Sequence, residues 1–503
     1  MKAGLIFRHQ LFEENPLLLN CDVFYLVEEH LYFRQYPFHK RKIAFHRSSM
    51  KQYEAWLMLN GKKVTYISST EEISDVRTLI PHLKSQGISE ISYVDTTDFM
   101  LEKRLARACQ TEGIQATKLQ SPMFLNDMQD LASKYATKKK LFQADFYKQQ
   151  RIQRGILVEA NQLPIGGKWS FDEENRSKFP KKGIVPDLNS PSMDEHDLEA
   201  MSYTETNFSS NPGKSEGRIH YPTSFEGAKD WLHAFFADRF ADFGTYEDAI
   251  VKDELVLHHS VLTPMLNVGL LTPQFVLDEA LNFAAKNDIP MNSLEGFVRQ
   301  IMGWREFIRM VYELKGVEER TRNYWGFKRK IPASFWNGTT GIPPIDSVIK
   351  KVLETGYCHH IERLMVLGNF ALISGVNPQQ FTRWMWNSFI DAAEWVMVPN
   401  VIGMSQFADG GMLATKPYAS GGAYIDRMSD HCKGCVFDRK KRVGEDACPF
   451  TVLYWDFFLR HAEVFLKNPR VARQVRAGQQ LSDSNEVRET ARVNLARLDS
   501  GDL

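Results

Sequence analysis

Long apolar runs are missing from this chain. Nowhere in its 503 residues does a hydrophobic stretch approach the roughly 18 to 20 residues that a membrane-spanning helix requires. The opening Met1-Lys2-Ala3-Gly4-Leu5-Ile6-Phe7 turns polar too soon for a signal peptide, so a cytoplasmic location is expected. Cysteine is scarce. Of six, three are scattered (Cys21, Cys109, Cys358) and three cluster late in the chain, which suits a reducing compartment and one metal site better than a disulfide framework. Net charge is absent too, with 62 basic against 62 acidic residues, so attraction for a charged partner must come from local patches. There is no internal repeat, and the lack of any GxGxxG disfavours a Rossmann dinucleotide site.

What is present is a globular, enzyme-sized chain with room for two or three domains. Residues 1–125 alternate short apolar runs (Val23–Val27, Val64–Ile67, Ile91–Val94) with amphipathic stretches (Lys40–Asn60, Glu72–Gln86), the βαβ rhythm of a doubly wound parallel sheet. Residues 126–223 read as a long linker with a basic helix around Lys138 and scattered prolines. From 224 to 503 the pattern is helical, with apolar faces at Ala228–Phe240, Pro273–Lys286, Leu294–Leu314, Ile345–Gly356, Ile361–Ile373 and Gln379–Val396. The polar tail after Asn468 predicts a surface helix with a frayed end.

Between Tyr357 and Pro449 lie groups suited to proton, electron and metal chemistry. Cys432-x2-Cys435-x12-Cys448-Pro449 has the spacing and terminal Cys-Pro of an iron–sulfur ligand run, and its CxxC also suits zinc. His359 and His360 diverge by about 100° on a helix, so only one can face a given partner; the other reads as structural. Six tryptophans between Trp304 and Trp395 are core by default, and a subset could stack on a ring cofactor or relay an electron. Arg320 to Lys330 interleaves five cations with three aromatics and no acid, which suits phosphate contact with stacking against bases.

Taken together these residues resemble the bacterial iron–sulfur photolyases, the prokaryotic (6-4) photolyases and their cryptochrome-like relatives. The matching runs are Gly166-Gly167-Lys168-Trp169-Ser170-Phe171-Asp172, Leu270-Leu271-Thr272-Pro273, Arg299-Gln300-x3-Trp304-Arg305-Glu306, His359-His360-Ile361-x-Arg363-Leu364-Met365, and Pro399-Asn400-Val401-x-Gly403-Met404-Ser405-Gln406-Phe407-Ala408-Asp409-Gly410-Gly411. The resemblance implies an α/β doubly wound domain followed by an all-α FAD-binding domain, acting as a monomer on UV-damaged DNA. It implies FAD held by Ser260, Thr263, Gln300, Trp304, Arg305, Arg363, Asp391, Trp395 and Asn400, with Arg363 and Asp391 paired beneath the flavin. His360, with His359, would face a flipped-out lesion; Trp336 and Trp384 would relay electrons; Arg322, Lys328, Arg329, Lys330 and Tyr418 would contact DNA. The activity implied is light-driven repair of pyrimidine (6-4) photoproducts, with a non-repairing blue-light photoreceptor as the alternative.

Two departures qualify the pattern. Cys432, Cys435 and Cys448 would hold a [4Fe-4S] cluster, yet Pro344 stands where the family has its fourth thiolate, and fourteen helical residues would put Cys358 about 21 Å away. A labile or missing cluster is therefore expected. At the N-terminus the family's Leu-Gly-Asp-Gln-Leu becomes Phe7-Arg8-His9-Gln10-Leu11, losing the acid that helps hold the antenna, 6,7-dimethyl-8-ribityllumazine.

Overall fold

The computed structural model describes residues 1–503 apart from Asn189 and Ser215. Five strands, β1 (Lys2–Phe7), β2 (Val23–Val27), β3 (Val64–Ile67), β4 (Glu90–Val94) and β5 (Gln115–Leu119), form one parallel sheet in the order β3-β2-β1-β4-β5. Leu5 of the central strand faces Tyr25 on one side and Tyr93 on the other. The order reverses between β1 and β4, so the crevice of this doubly wound sheet opens at Arg8–Gln10 and Asp95–Asp98. The strands anticipated at Val23, Val64 and Ile91 are present. The edge strand β5 carries mostly exposed polar residues and gives no apolar run to find.

The expected linker is more structured than its prolines suggest. Its helix Glu195–Asn207 lies along the helix Lys40–Leu59, where Asp197 accepts from Ser48 Oγ (2.5 Å) and Thr223 Oγ1 (3.0 Å), and Glu199 pairs with Arg47 (2.7 Å).

The remainder is helical, with three corrections to the sequence reading. The helix expected over Gln379–Val396 ends at Ser388 and restarts as a short turn at Glu394, leaving Phe389–Ala393 irregular. The helices expected over Leu294–Leu314 and Ile361–Ile373 carry π-helical segments at Arg299–Trp304 and Glu362–Gly368, and a third spans Val398–Ser405. The tail forms two helices, Ala472–Gln479 and Ser484–Ser500; Val487, Ala491 and Leu498 bury against the core instead of fraying. No helix among the described residues is long and apolar enough to cross a membrane.

Candidate functional site

The three π-helical segments are rare geometry gathered in one region, and such segments concentrate at functional sites because they widen a helix and re-aim its side chains. Each carries anticipated residues: Gln300 and Trp304, then Arg363, then Asn400. Trp304 Nε1 donates to Asn400 Oδ1 at 3.2 Å, tying the first segment to the third. The second and third meet at Gly368, where a Cβ would fall 2.2 Å from Ser405 Oγ, so only glycine permits the approach.

Asp391 sits in the irregular stretch Phe389–Ala393. Arg363 grips its carboxylate in a two-pronged contact, Nη1 to Oδ1 at 2.9 Å and Nη2 to Oδ2 at 3.1 Å, while Arg363 Nε donates to the Cys358 carbonyl at 2.7 Å. Although burial opposes the charged form, Asp391 outweighs it and holds the Arg363 guanidinium above its ordinary range. Thr263 Oγ1 also donates to Asp391 (2.6 Å), so in this arrangement its hydroxyl hydrogen is committed to a carboxylate. Ser260 is half-buried, its carbonyl accepting from Trp231 Nε1, and Val261 next to it has φ 53°, an uncommon strain for a β-branched residue. Arg305 donates to Asn267 Oδ1 (2.6 Å), lies 4.9 Å from the Trp395 ring and keeps its buried Nε unpaired.

These donors fit a large, polar, ring-bearing cofactor such as FAD: a charged pair, an unpaired buried guanidinium nitrogen, and amides at Asn267, Gln300 and Asn400. Sequence reading missed Asn267, whose Nδ2 supports the Asp391 carbonyl at 2.7 Å. It also missed Lys42, whose fully buried ammonium donates to the carbonyls of Trp386 (2.8 Å) and Ala392 (2.9 Å). No local pattern marks either residue.

Beside Arg363 the two histidines differ in exposure. His359 is buried and 3.4 Å from Glu362; the His360 side chain is 49% exposed and 3.3 Å from Asp248. A third ring, His259, stacks on His359 with centroids 4.4 Å apart. Its place in a second His-His pair, His258-His259, was a signal the sequence carried. Burial drives His259 down to about 3 and, with its cationic neighbours, pushes His359 well below the ordinary value, so both rings are neutral. Desolvation also opposes charge on His360, but the contact with Asp248 and the nearby Glu247 outweigh it and raise its pKa. Gln300 holds Glu247 through a 2.8 Å bond. Of the three rings, the one open to a substrate is therefore the one whose surroundings favour a proton.

Trp384 is buried and edge-on to Phe389, whose ring lies 4.2 Å from the Arg363 guanidinium. Trp336 lies at the surface, and its neighbour Phe335 meets Trp384 at 5.8 Å.

The cationic segment needs correction. Trp325 and Phe327 are packed inward, Trp325 against Phe457, His461 and Phe465, so only Tyr324 is exposed for stacking. Acids from elsewhere also reach the segment: Arg322 pairs with Glu318 and Arg329 with Asp499, leaving Lys328 and Lys330 exposed without such a contact among the described residues. Tyr418 lies partly exposed near Asp248 and Arg176.

Cys432, Cys435 and Cys448 line one small cavity, and Pro344 forms another of its walls. Cys358 does not line it. The residues do not fit a cluster with four protein thiolates.

In the crevice of the sheet, His9 is buried with both ring nitrogens unpaired, Thr97 Oγ1 is unpaired with φ 48°, and Arg8 meets His46 at 2.9 Å. Unpaired polar atoms at a switch point suit a ligand with hydrogen-bonding ring atoms, even without the expected acid.

Comparison with known proteins agrees with this geometry. Residues 4–219 match the family described as deoxyribodipyrimidine photo-lyase-related protein. The chain is 36% identical over 469 residues to the (6-4) photolyase of Agrobacterium fabrum, covering 92% of each. It is 25% identical over 207 residues to the chloroplastic/mitochondrial cryptochrome DASH of Ostreococcus tauri, covering 38% of this chain and 36% of that one. The crystal structure of a bacterial class III photolyase from Agrobacterium tumefaciens superposes with a TM-score of 0.58 at 14% identity, covering 99% and 98% of the two chains, and so shares the fold. The chain belongs to the cryptochrome/photolyase family, in its bacterial (6-4) photolyase branch.

Proposed function

We propose that the protein repairs pyrimidine (6-4) photoproducts in DNA under light, with His360 as the proton donor. The observation that carries this reading is the arrangement of three adjacent imidazoles: His259 and His359 stacked and buried, where burial disfavours charge, and His360 exposed beside Asp248, which raises its pKa. A donor whose surroundings favour its protonated form, at an open face, is what general-acid catalysis on an extruded base needs.

FAD, when bound, supplies the light-excited electron. Arg363, Asp391, Arg305, Asn267, Trp304, Trp395 and Asn400 would hold it, with Gln300 bridging to Glu247 and Ser260 and Thr263 at the strained turn. Trp384 and Trp336 would carry electrons in from the surface, through Phe335 and Phe389 as spacers. Lys328 and Lys330, together with Tyr418 and the partly neutralised Arg322 and Arg329, would meet the DNA. The crevice at His9 and Thr97 would take the antenna, a polar heteroaromatic such as the lumazine. The protein would act as a cytoplasmic monomer.

The decisive experiment illuminates the reduced, flavin-loaded protein anaerobically with two oligonucleotides, one bearing a (6-4) photoproduct and one a cyclobutane dimer. Repair of the first alone is expected. A yellow, photoreducible protein that repairs neither would be a photoreceptor, and repair of the dimer alone would remove the need for His360.

A further inference from the structure

The cavity around the three clustered cysteines specifies more than the loss of a ligand. Cys432 and Cys435 flank a tight turn, in which Cys435 N–H approaches the Cys432 carbonyl at 3.4 Å and Gly434 takes φ 76°. Cys448 comes from a second strand of loop and caps the helix Pro449–Arg460. Their thiols converge on one space. Tetrahedral zinc in a structural site takes four ligands, one more than these thiols supply.

The fourth side of this space is closed by Pro344, buried in the first turn of the helix Pro343–Thr355. Proline is at home there because the first turn needs no amide hydrogen, and its ring offers no donor atom. No carboxylate, imidazole or hydroxyl lines the cavity; its one charged group, Arg439, is engaged by Asp426 at 2.8 Å. Cys358 lies past the far end of the same helix, beneath Arg363, and cannot reach.

We propose that this cavity holds a three-iron, four-sulfide cluster. Each iron takes one protein thiolate, so three S–H bonds give way to three Fe–S bonds with release of three protons, the iron and inorganic sulfide being supplied by cluster assembly. The corner that would carry a fourth iron meets the Pro344 ring, which offers it no protein ligand. The donor count matches one thiolate for each of three irons.

The test is elemental and magnetic and does not depend on repair. Protein purified anaerobically should contain three irons and four acid-labile sulfides per chain. Three ferric ions carry an odd number of unpaired electrons, so the oxidised protein should give a half-integer-spin EPR signal at low temperature that disappears on one-electron reduction. A cluster of four irons has an even electron count when oxidised and behaves in the opposite way. Pro344→Cys should convert the first pattern into the second and raise the iron content to four. Cys358→Ser should leave iron content and signal unchanged. Four irons with an EPR-silent oxidised state in the natural protein would overturn the proposal. So would zinc without iron, or no metal after anaerobic reconstitution with iron and sulfide. All three outcomes are read on the unmutated protein, so a variant that fails to fold cannot obscure them.

Discussion

The rings of His259 and His359 lie face to face, centroids 4.4 Å apart and planes 20° from parallel, in a fully buried stack beneath the exposed His360. His259 Nε2 is 3.0 Å from the Glu247 carbonyl, and this contact sets the ring that carries His359. Two cations could not be held so close in a buried site, and that geometry has consequences for both stability and activity.

Acid should unfold the protein partly through this stack. His259 is depressed to about 3 and His359 well below its usual value, so below about pH 6.5 the unfolded chain binds protons that the folded one refuses. Stability is then lost as pH falls, by up to about 1.4 kcal/mol per pH unit for each such histidine. His259→Phe keeps the stack and removes one titration, so the slope of unfolding free energy between about pH 4 and 6 should flatten by that amount. An unchanged slope in urea titrations would mean that His259 takes up its proton without unfolding.

Repair should be limited on the alkaline side by His360. The donor works protonated, and its pKa is raised, so activity should hold below that pKa and decline as pH rises through it. Asp248→Asn removes the contact that most raises it and should move the alkaline limb to lower pH. His360→Ala should reduce repair by about 10²- to 10⁴-fold while flavin content and photoreduction persist. Full repair by the alanine variant would remove His360 from the mechanism.

Asp391→Asn should separate packing from cofactor binding. It leaves the Arg363 guanidinium buried without its carboxylate, a change that costs about 3 kcal/mol or more when a buried pair is broken on one side. Denaturant unfolding of the flavin-free variant should show that loss, and the purified variant should retain little FAD. Intact stability together with stoichiometric flavin would contradict the role given to this pair.

DNA affinity should weaken with salt, and the structure divides the cations unequally. Arg322 and Arg329 already have acidic partners, so Lys328 and Lys330 should carry most of the counterion release from this segment. Replacing both lysines with alanine should reduce the slope of log affinity against log salt by up to about 1.8. Replacing Arg329 should change it less. The reverse ranking, measured by fluorescence anisotropy with lesion-containing duplex, would show that the arginine pairs open on binding.

Much of this protein follows from local pattern. The interior strands read as apolar runs because both faces are covered, and the helical half shows its 3.6-residue period. The histidine pair, the cysteine spacing and Pro344 in place of a thiolate are chemical identities that need no coordinates. The edge strand β5 was hidden because exposed edges need no apolar pattern. The π segments were hidden because one inserted residue barely disturbs helical periodicity.

Other features rest on contacts between residues far apart in the chain, and no local pattern encodes these. Asp391 faces Arg363 because the expected helix breaks at Phe389, and the break is held by Lys42, about 350 positions away, donating to Ala392. The acids that neutralise Arg329 and charge His360 come from Asp499 and Asp248. Residue types and spacings determined which chemistries were available to this protein. The tertiary structure decided which ring is placed to favour a proton, which cations stay free and which wall closes the cysteine cavity, because charge, burial and distance are properties of neighbours in space.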